Sequence, residues 1–230
     1  MQKNMQTKYL NTLGYILKRT NYGEADRILN IITPYGKISA IAKGVRKEKS
    51  KLAGGVELFS LINFNISLGR SELGIVTSAK MIEFYGNILK DFARMELAAM
   101  ILKKISVTAE SSDSSEYFNI VEQSLPGLNK GLKNELVETW FLLNLLKASG
   151  EEINLYRDTV GNKLAEDKRY AYDITEKSMV ENSEGEFGAE EIKLLRLMLV
   201  TKLEIVARVK NIDQILPKIL RLAQIMSGEV

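Results

Sequence analysis

Five cations crowd nine residues of this chain: Lys43, Arg46, Lys47, Lys49 and Lys51, opposed there only by Glu48. Such a cluster makes and breaks no bonds. It holds polyanions, because each Lys or Arg brought against a phosphate releases condensed counterions into the surrounding salt. Taken alone, a charge run is more often a solvated loop than a binding surface. Its context changes that balance. Arg19, Arg27, Lys37 and Arg70 fall in or beside strands and turns of the same N-terminal unit, and residues 1–80 carry 13 Lys and Arg against five Asp and Glu. Residues 81–230 carry 19 against 24, so the net charge of +3 hides a basic half and a mildly acidic one. The basic half attracts nucleic acid and the acidic half repels it.

The side chains that usually perform covalent chemistry are missing. The chain has no cysteine and no histidine, which removes disulfides, thiolate catalysis, cysteine zinc modules, the Ser-His-Asp triad and imidazole ligands together. Carboxylate–Mg²⁺ chemistry stays open in principle, with 29 Asp and Glu, yet the sequence contains no EF-hand loop, P-loop, Gly-x-Gly-x-x-Gly turn or Gly-x-Ser-x-Gly elbow. Glu24 and Asp26 sit in a turn, where acids most often accept backbone N–H groups, and they are assigned no chemistry. The expectation is a binding protein rather than an enzyme, with no cofactor.

The elements that must position the cations read as follows. Tyr9–Lys18 is a β-rich run, and the polar stretch Arg19–Asp26 holds Gly23 where a turn needs it. Arg27–Thr33, the turn Pro34-Tyr35-Gly36 and Lys37–Ala42 form a hairpin. Gly44–Gly55 has no apolar period and reads as a long exposed loop. Glu57–Leu68 and Leu73–Phe84 alternate around the connection Gly69-Arg70-Ser71-Glu72. Five strands in about 80 residues predict a small closed barrel, a class that binds oligonucleotides across a strand face and adjoining loops. Phe59 and Phe64 belong inside it; Tyr22 and Tyr35 are left as candidate stacking platforms for bases.

Past Gly86 the period changes from 2 to 3.6. Apolar stripes run over Leu89–Ile105, Leu132–Leu145, Ile192–Leu199 and Ile212–Met226, with Trp140 in the core and Pro217 set to kink the last helix or mark its start. Glu151–Gly188 is polar and aperiodic apart from a short strand at Arg169–Ile174, and reads as an insert between helices. The fold class is α+β multidomain: a barrel over 1–85, then an all-α helical domain over 86–230 with the insert at about 151–188. No apolar run approaches the roughly 18–20 residues of a membrane span. Asn11, Thr12 and Gly14 interrupt the one candidate leader, so the expected location is cytoplasmic.

Several motifs in order resemble the N-terminal signature of the RecO family of recombination mediators. They are Tyr22-Gly23-Glu24-Ala25-Asp26, Thr33-Pro34-Tyr35-Gly36-Lys37-Ile38-Ser39-Ala40, Ala42-Lys43-Gly44-Val45-Arg46-Lys47 and Ser50-Lys51-Leu52-Ala53-Gly54. Gly69-Arg70, Leu73-Gly74 and Thr77-Ser78-Ala79-Lys80 with Glu83-Phe84 continue the series. The resemblance covers some 75 residues; beyond Gly86 only the layout is similar. It implies an OB-fold followed by a helical domain, binding of single- and double-stranded DNA, strand annealing, and help in loading RecA, at the bacterial nucleoid. The implied partners are RecR and the C-terminal tail of single-strand binding protein, with the RecA filament engaged indirectly and RecF left open. The DNA-contacting role carries over to Lys37, Lys43, Arg46, Lys47, Lys49, Lys51 and Arg70.

One departure stands out. Many RecO-like proteins carry a four-cysteine zinc module in the insert, but here Val160 precedes Gly161 where a cysteine is expected, and no zinc site can form. The insert is therefore expected to be mobile or held by packing alone. Two other readings compete with the mediator: an interaction adaptor whose barrel is a scaffold without DNA affinity, and a Mg²⁺-dependent nuclease.

Overall fold

Alternation builds the first strands as the sequence dictates, and burial then sets their limits. The computed structural model describes residues 8–69, 73–109 and 115–228. β1 (Lys8–Tyr22), β2 (Asp26–Thr33), β3 (Gly36–Ala42), β4 (Ser60–Leu68) and β5 (Gly74–Phe84) close into a barrel of order β1-β2-β3-β5-β4. Neighbours are antiparallel except β3 and β5, whose short parallel contact pairs Ala40 with Gly74 and Ile41 with Ile75 and shuts the barrel. The topology is OB-fold-like, as expected. Its interior is filled by Ile16, Leu29, Ile31, Ile62, Phe64 and Ile66 among others. Full burial of each such side chain stabilises the fold by about 1.5–3 kcal/mol.

β1 is longer than the expected Tyr9–Lys18. It runs on to Tyr22 because its upper half pairs with β2 from Lys18↔Asn30 to Tyr22↔Asp26, leaving only residues 23–25 as the turn. A register shift between Ile16 and Lys18 lets the strand bend there.

The chain divides into two compact units, one ending at Asn129 and the other beginning at Lys130. The change from strands to helices near residue 85 thus falls within the first unit, because α1 (Phe92–Thr108) and α2 (Glu116–Asn129) pack with the barrel. α1 starts where the Asp91 side chain accepts the Arg94 N–H at 3.0 Å. α2 was not expected; it buries Tyr117, Phe118, Ile120, Val121 and Leu125 although Pro126 lies inside it. The helices cover the outer side of β1 and β2 where Tyr15 pairs with Ile32. There the Tyr15 ring meets Phe118 at 5.4 Å between centroids, and its hydroxyl shares a 3.4 Å hydrogen bond with that of Tyr85. Burial, with the Tyr85 hydrogen bond adding to it, pushes the Tyr15 phenol above its ordinary range, so it stays neutral.

The second unit corrects one expectation: it is not all-α. α3 (Asn134–Ala148), α4 (Ala189–Val200), α5 (Leu203–Val206) and α6 (Ile212–Met226) are joined by a three-stranded sheet in the insert, with β6 (Asn154–Asp158), β7 (Tyr170–Asp173) and β8 (Ser178–Glu181) in the order β6-β8-β7. Trp140 is buried on α3, and its indole N–H donates to the Thr201 carbonyl at 3.1 Å. Pro217 lies inside α6, which begins at Ile212.

Candidate nucleic-acid interface

The cationic loop leaves β3 at Ala42 and reaches β4 at Ser60, and two apolar pegs seat it on the barrel. Val45 and Val56 are buried in the barrel core, with Leu52 packed beside them. Between the pegs the chain is held by local turns, Lys47 N–H to Gly44 O at 3.1 Å and Ser50 N–H to Lys47 O at 3.0 Å. A second set of bonds ties the loop to the β1–β2 turn. The Asp26 carboxylate accepts the Gly44 N–H at 2.7 Å, Arg46 N–H donates to Ala25 O at 2.9 Å, and the Arg46 guanidinium donates to Gly23 O at 3.3 Å. Asp26 accepts a backbone N–H, as expected of it, but it does so as the first residue of β2 and from the cationic loop rather than from its own turn.

The result is a fixed backbone with exposed side chains, of which Arg46 is tied to the Gly23 carbonyl. Lys43, Arg46, Lys47, Lys49 and Lys51 are all exposed. The other expected cations are placed differently. Arg19 is paired with Leu29 in register, so it faces the barrel interior at its open end, where it donates to Val56 O at 3.1 Å and to Glu57 Oε2 at 2.7 Å. Lys37 is half-buried, its ammonium donating to Ser106 O of α1 at 2.7 Å. Arg27, half-buried, donates to Asn21 Oδ1 at 3.2 Å, but its partner in register is Ala42, next to Lys43. Arg70 lies outside the described residues.

Lys18 is the cation that the sequence reading passed over. It is exposed on β1 opposite Asn30, which is in turn opposite Ser39, whose hydroxyl donates to Asn30 Oδ1 at 3.2 Å. Lys18, Thr20, Asn30 and Ser39 form a polar strip across β1–β3 above the part that the helices cover. Tyr22 stands at the end of that strip nearest the loop and is 55 % exposed. Tyr35, 65 % exposed, sits in the β2–β3 turn at the other end of β3, about 20 Å away by strand rise.

Such an arrangement is chemically suited to an extended polyanion: cations can track phosphates, an aromatic ring can stack a base, and hydroxyl and amide groups can add hydrogen bonds without fixing a sequence. Phe59 and Phe64 are both buried and offer no platform; Phe64 follows the alternation of β4, whereas Phe59 lies just before that strand with φ +55°. Among the described residues no group of three or more Asp or Glu is placed to hold a metal ion, and no helix is long and apolar enough to cross a membrane.

Comparison with known proteins adds a likeness, strongest over the barrel. Residues 5–85 match the family model described as recombination protein O, N terminal. A stretch of 144 residues is 37 % identical to the DNA repair protein RecO of Alkaliphilus metalliredigens, covering 61 % of this chain and 58 % of that protein. Against the DNA repair protein RecO of Roseiflexus sp. the identity is 31 % over 153 residues, 66 % of this chain and 54 % of the relative. That of Dehalococcoides mccartyi is 33 % identical over 141 residues, with 60 % and 55 % covered. The chain spans a little over half the length of these relatives.

Proposed function

We propose, from the match of residues 5–85 to the recombination protein O N-terminal model, that the chain is a RecO-type DNA-binding mediator of repair and recombination that acts through its barrel rather than through a catalytic group. One observation carries the reading: five exposed cations on a loop whose backbone is pinned at one end of an OB-fold-like barrel. A rigid cationic surface binds single and double strands alike, since it meets only phosphates. By neutralising both strands it lowers their repulsion and raises their local concentration, which is sufficient to speed annealing.

The hand-over step asks for more than charge. Assisting RecA onto DNA coated with single-strand binding protein requires a seat for that protein's acidic, apolar-ended tail, alongside RecR and, as an open question, RecF. A groove of about 310 Å³ in the second unit is lined by apolar Tyr172, Ile174, Leu222 and Ile225, by Arg221, and by Lys218, whose ammonium is ion-paired with Glu191. Glu184 and Glu186 also line it, so the tail's acids would lie beside Arg221 of α6.

The test is binding of labelled single-stranded DNA against salt, for the wild type and for a variant with Lys43, Arg46, Lys47, Lys49 and Lys51 changed to Ala. Each lost phosphate contact flattens the log–log slope by roughly 0.7. Weaker, less salt-sensitive binding by the variant supports the reading. Equal binding moves the site elsewhere on the protein, and an absence of DNA binding by either turns the chain into an adaptor.

A further inference from the structure

A zinc module in the insert needs four thiolate or imidazole ligands at about 2.0–2.3 Å from the ion. The chain has no Cys or His, and among the described residues no cluster of acids replaces them, so the residues present do not fit the metal. Yet the insert is an ordered sheet with its ends stitched together, which neither mobility nor packing alone explains.

Two turns do the stitching, and they share a pattern. Asp158-Thr159-Val160-Gly161 follows β6, and Asn182-Ser183-Glu184-Gly185 follows β8, both Asx-x-x-Gly. In each, the glycine N–H donates to the carbonyl of the Asx residue, at 3.0 Å in the first and 2.9 Å in the second. In each, the Asx side chain accepts the N–H two residues on: Val160 to Asp158 Oδ1 at 3.1 Å, and Glu184 to Asn182 Oδ1 at 2.9 Å. Asp158 also accepts the Asn162 N–H at 2.8 Å and the Asn162 amide at 3.3 Å, and is buried. The glycines are needed: Gly161 has φ +90°, and a Cβ on Gly185 would stand 2.3 Å from the Tyr170 carbonyl oxygen.

Each turn is then joined to a different strand. Thr159 N–H donates to Met179 O of β8 at 2.9 Å, and Asn182 N–H to Arg169 O, just before β7, at 3.0 Å. We infer that the side-chain oxygens of Asp158 and Asn182 stand in for the metal, making the insert a hydrogen-bonded module whose shape is independent of any ion. A thiolate ligand in a metal turn gathers backbone N–H donors around one negative centre; the buried Asp158 carboxylate gathers such donors without the ion, and the exposed Asn182 amide oxygen holds one, from Glu184. The consequence is functional. The groove walls given by Tyr172, Ile174 and the 182–185 turn keep their geometry when metal is withdrawn or the surroundings oxidise. This inference stands apart from the DNA-binding reading.

The experiment uses the full chain: metal content after dialysis, thermal unfolding with and without EDTA, and amide exchange over 154–185 for wild type, Asp158→Ala, Asp158→Asn and Asn182→Ala. The expected result is substoichiometric zinc, an unfolding curve that EDTA leaves in place, and exchange at Val160 and Asn162 faster by on the order of tenfold in Asp158→Ala, with α3 amides unchanged. Asp158→Asn, which keeps the acceptor oxygen, restores most of that protection, and Asn182→Ala loosens Glu184. One tightly held metal ion per chain, a lower unfolding temperature in EDTA, or wild-type exchange in both alanine variants overturns the proposal. If Asp158→Ala fails to fold, the Asn182→Ala exchange and the EDTA comparison still decide it.

Discussion

The Asp26 carboxylate and the Gly44 backbone N–H meet at 2.7 Å, joining the first residue of β2 to the second residue of the cationic loop. The bond costs the site a negative charge close to Lys43, yet it fixes where Lys43, Arg46 and Lys47 stand. The ordering entropy of the loop is then already met in the free protein, so under the proposed function less affinity would be lost on binding DNA.

Asp26→Ala and Asp26→Asn separate the two effects. The alanine variant loses the acceptor, so exchange at Gly44 and Arg46 rises and DNA affinity falls by a few-fold, a hydrogen bond to a charged group being worth about 1.5–3 kcal/mol before the gain of one positive charge is set against it. The asparagine variant keeps the acceptor and loses the charge. It retains the loop's exchange protection and binds DNA at least as tightly as the wild type. Titrations of both variants at matched salt, paired with exchange measurements, check this; an alanine variant that binds as tightly as the asparagine one rules out a positioning role.

Lys18 and Arg19 are adjacent in the chain and opposite in role. Lys18 points into the open strip, whereas Arg19 ties β1 to Val56 and Glu57. Lys18→Ala is expected to leave thermal stability unchanged and to flatten the salt dependence of single-strand binding by roughly 0.7. Arg19→Ala is expected to lower stability by about 1 kcal/mol, the pair being partly exposed and screened, and to leave the salt slope close to the wild type. Denaturation curves and salt titrations on both variants test the contrast, and a reversal of the two phenotypes refutes the placement.

The sequence is informative where local pattern and tertiary fate coincide. Alternation around Ile62, Phe64 and Ile66 tells strand and core at once, because both depend on period 2. Arg19 and Lys43 look equivalent in the sequence; the difference is Glu57, 38 residues away, which only the fold brings within reach. Lys18 is hidden by the register shift beside it, which changes the phase of the strand. α2 is masked by Pro126 and Gly127, which read as breakers until tertiary burial of Phe118 and Val121 outweighs them. β6 and β8 are short and half-exposed, so no run of apolar residues announces them. Their turns are legible only once Asp158 and Asn182 are read as acceptors rather than as polar filler.

Glu191 sets the acid limit of the second unit. It lies in the first turn of α4, where Oε2 accepts the Gly188 N–H at 3.0 Å and Oε1 accepts the Lys218 ammonium of α6 at 2.9 Å. Burial works against its charged form, but the Lys218 and backbone hydrogen bonds outweigh burial and hold the carboxyl below its ordinary 4.5. A depressed folded value stabilises the native state above the unfolded value, and that contribution disappears as pH falls through the folded one. Glu191→Gln, which keeps the acceptor geometry without the charge, is therefore expected to destabilise the protein near neutral pH by about 1 kcal/mol, Lys218 being partly exposed and the pair screened. The gap between wild type and variant should narrow as pH drops below about 4 and close once both states are protonated. Unfolding midpoints measured from pH about 7 to about 3 read this directly. A gap that stays constant across the range would show that Glu191 acts through shape alone and that its charge contributes nothing.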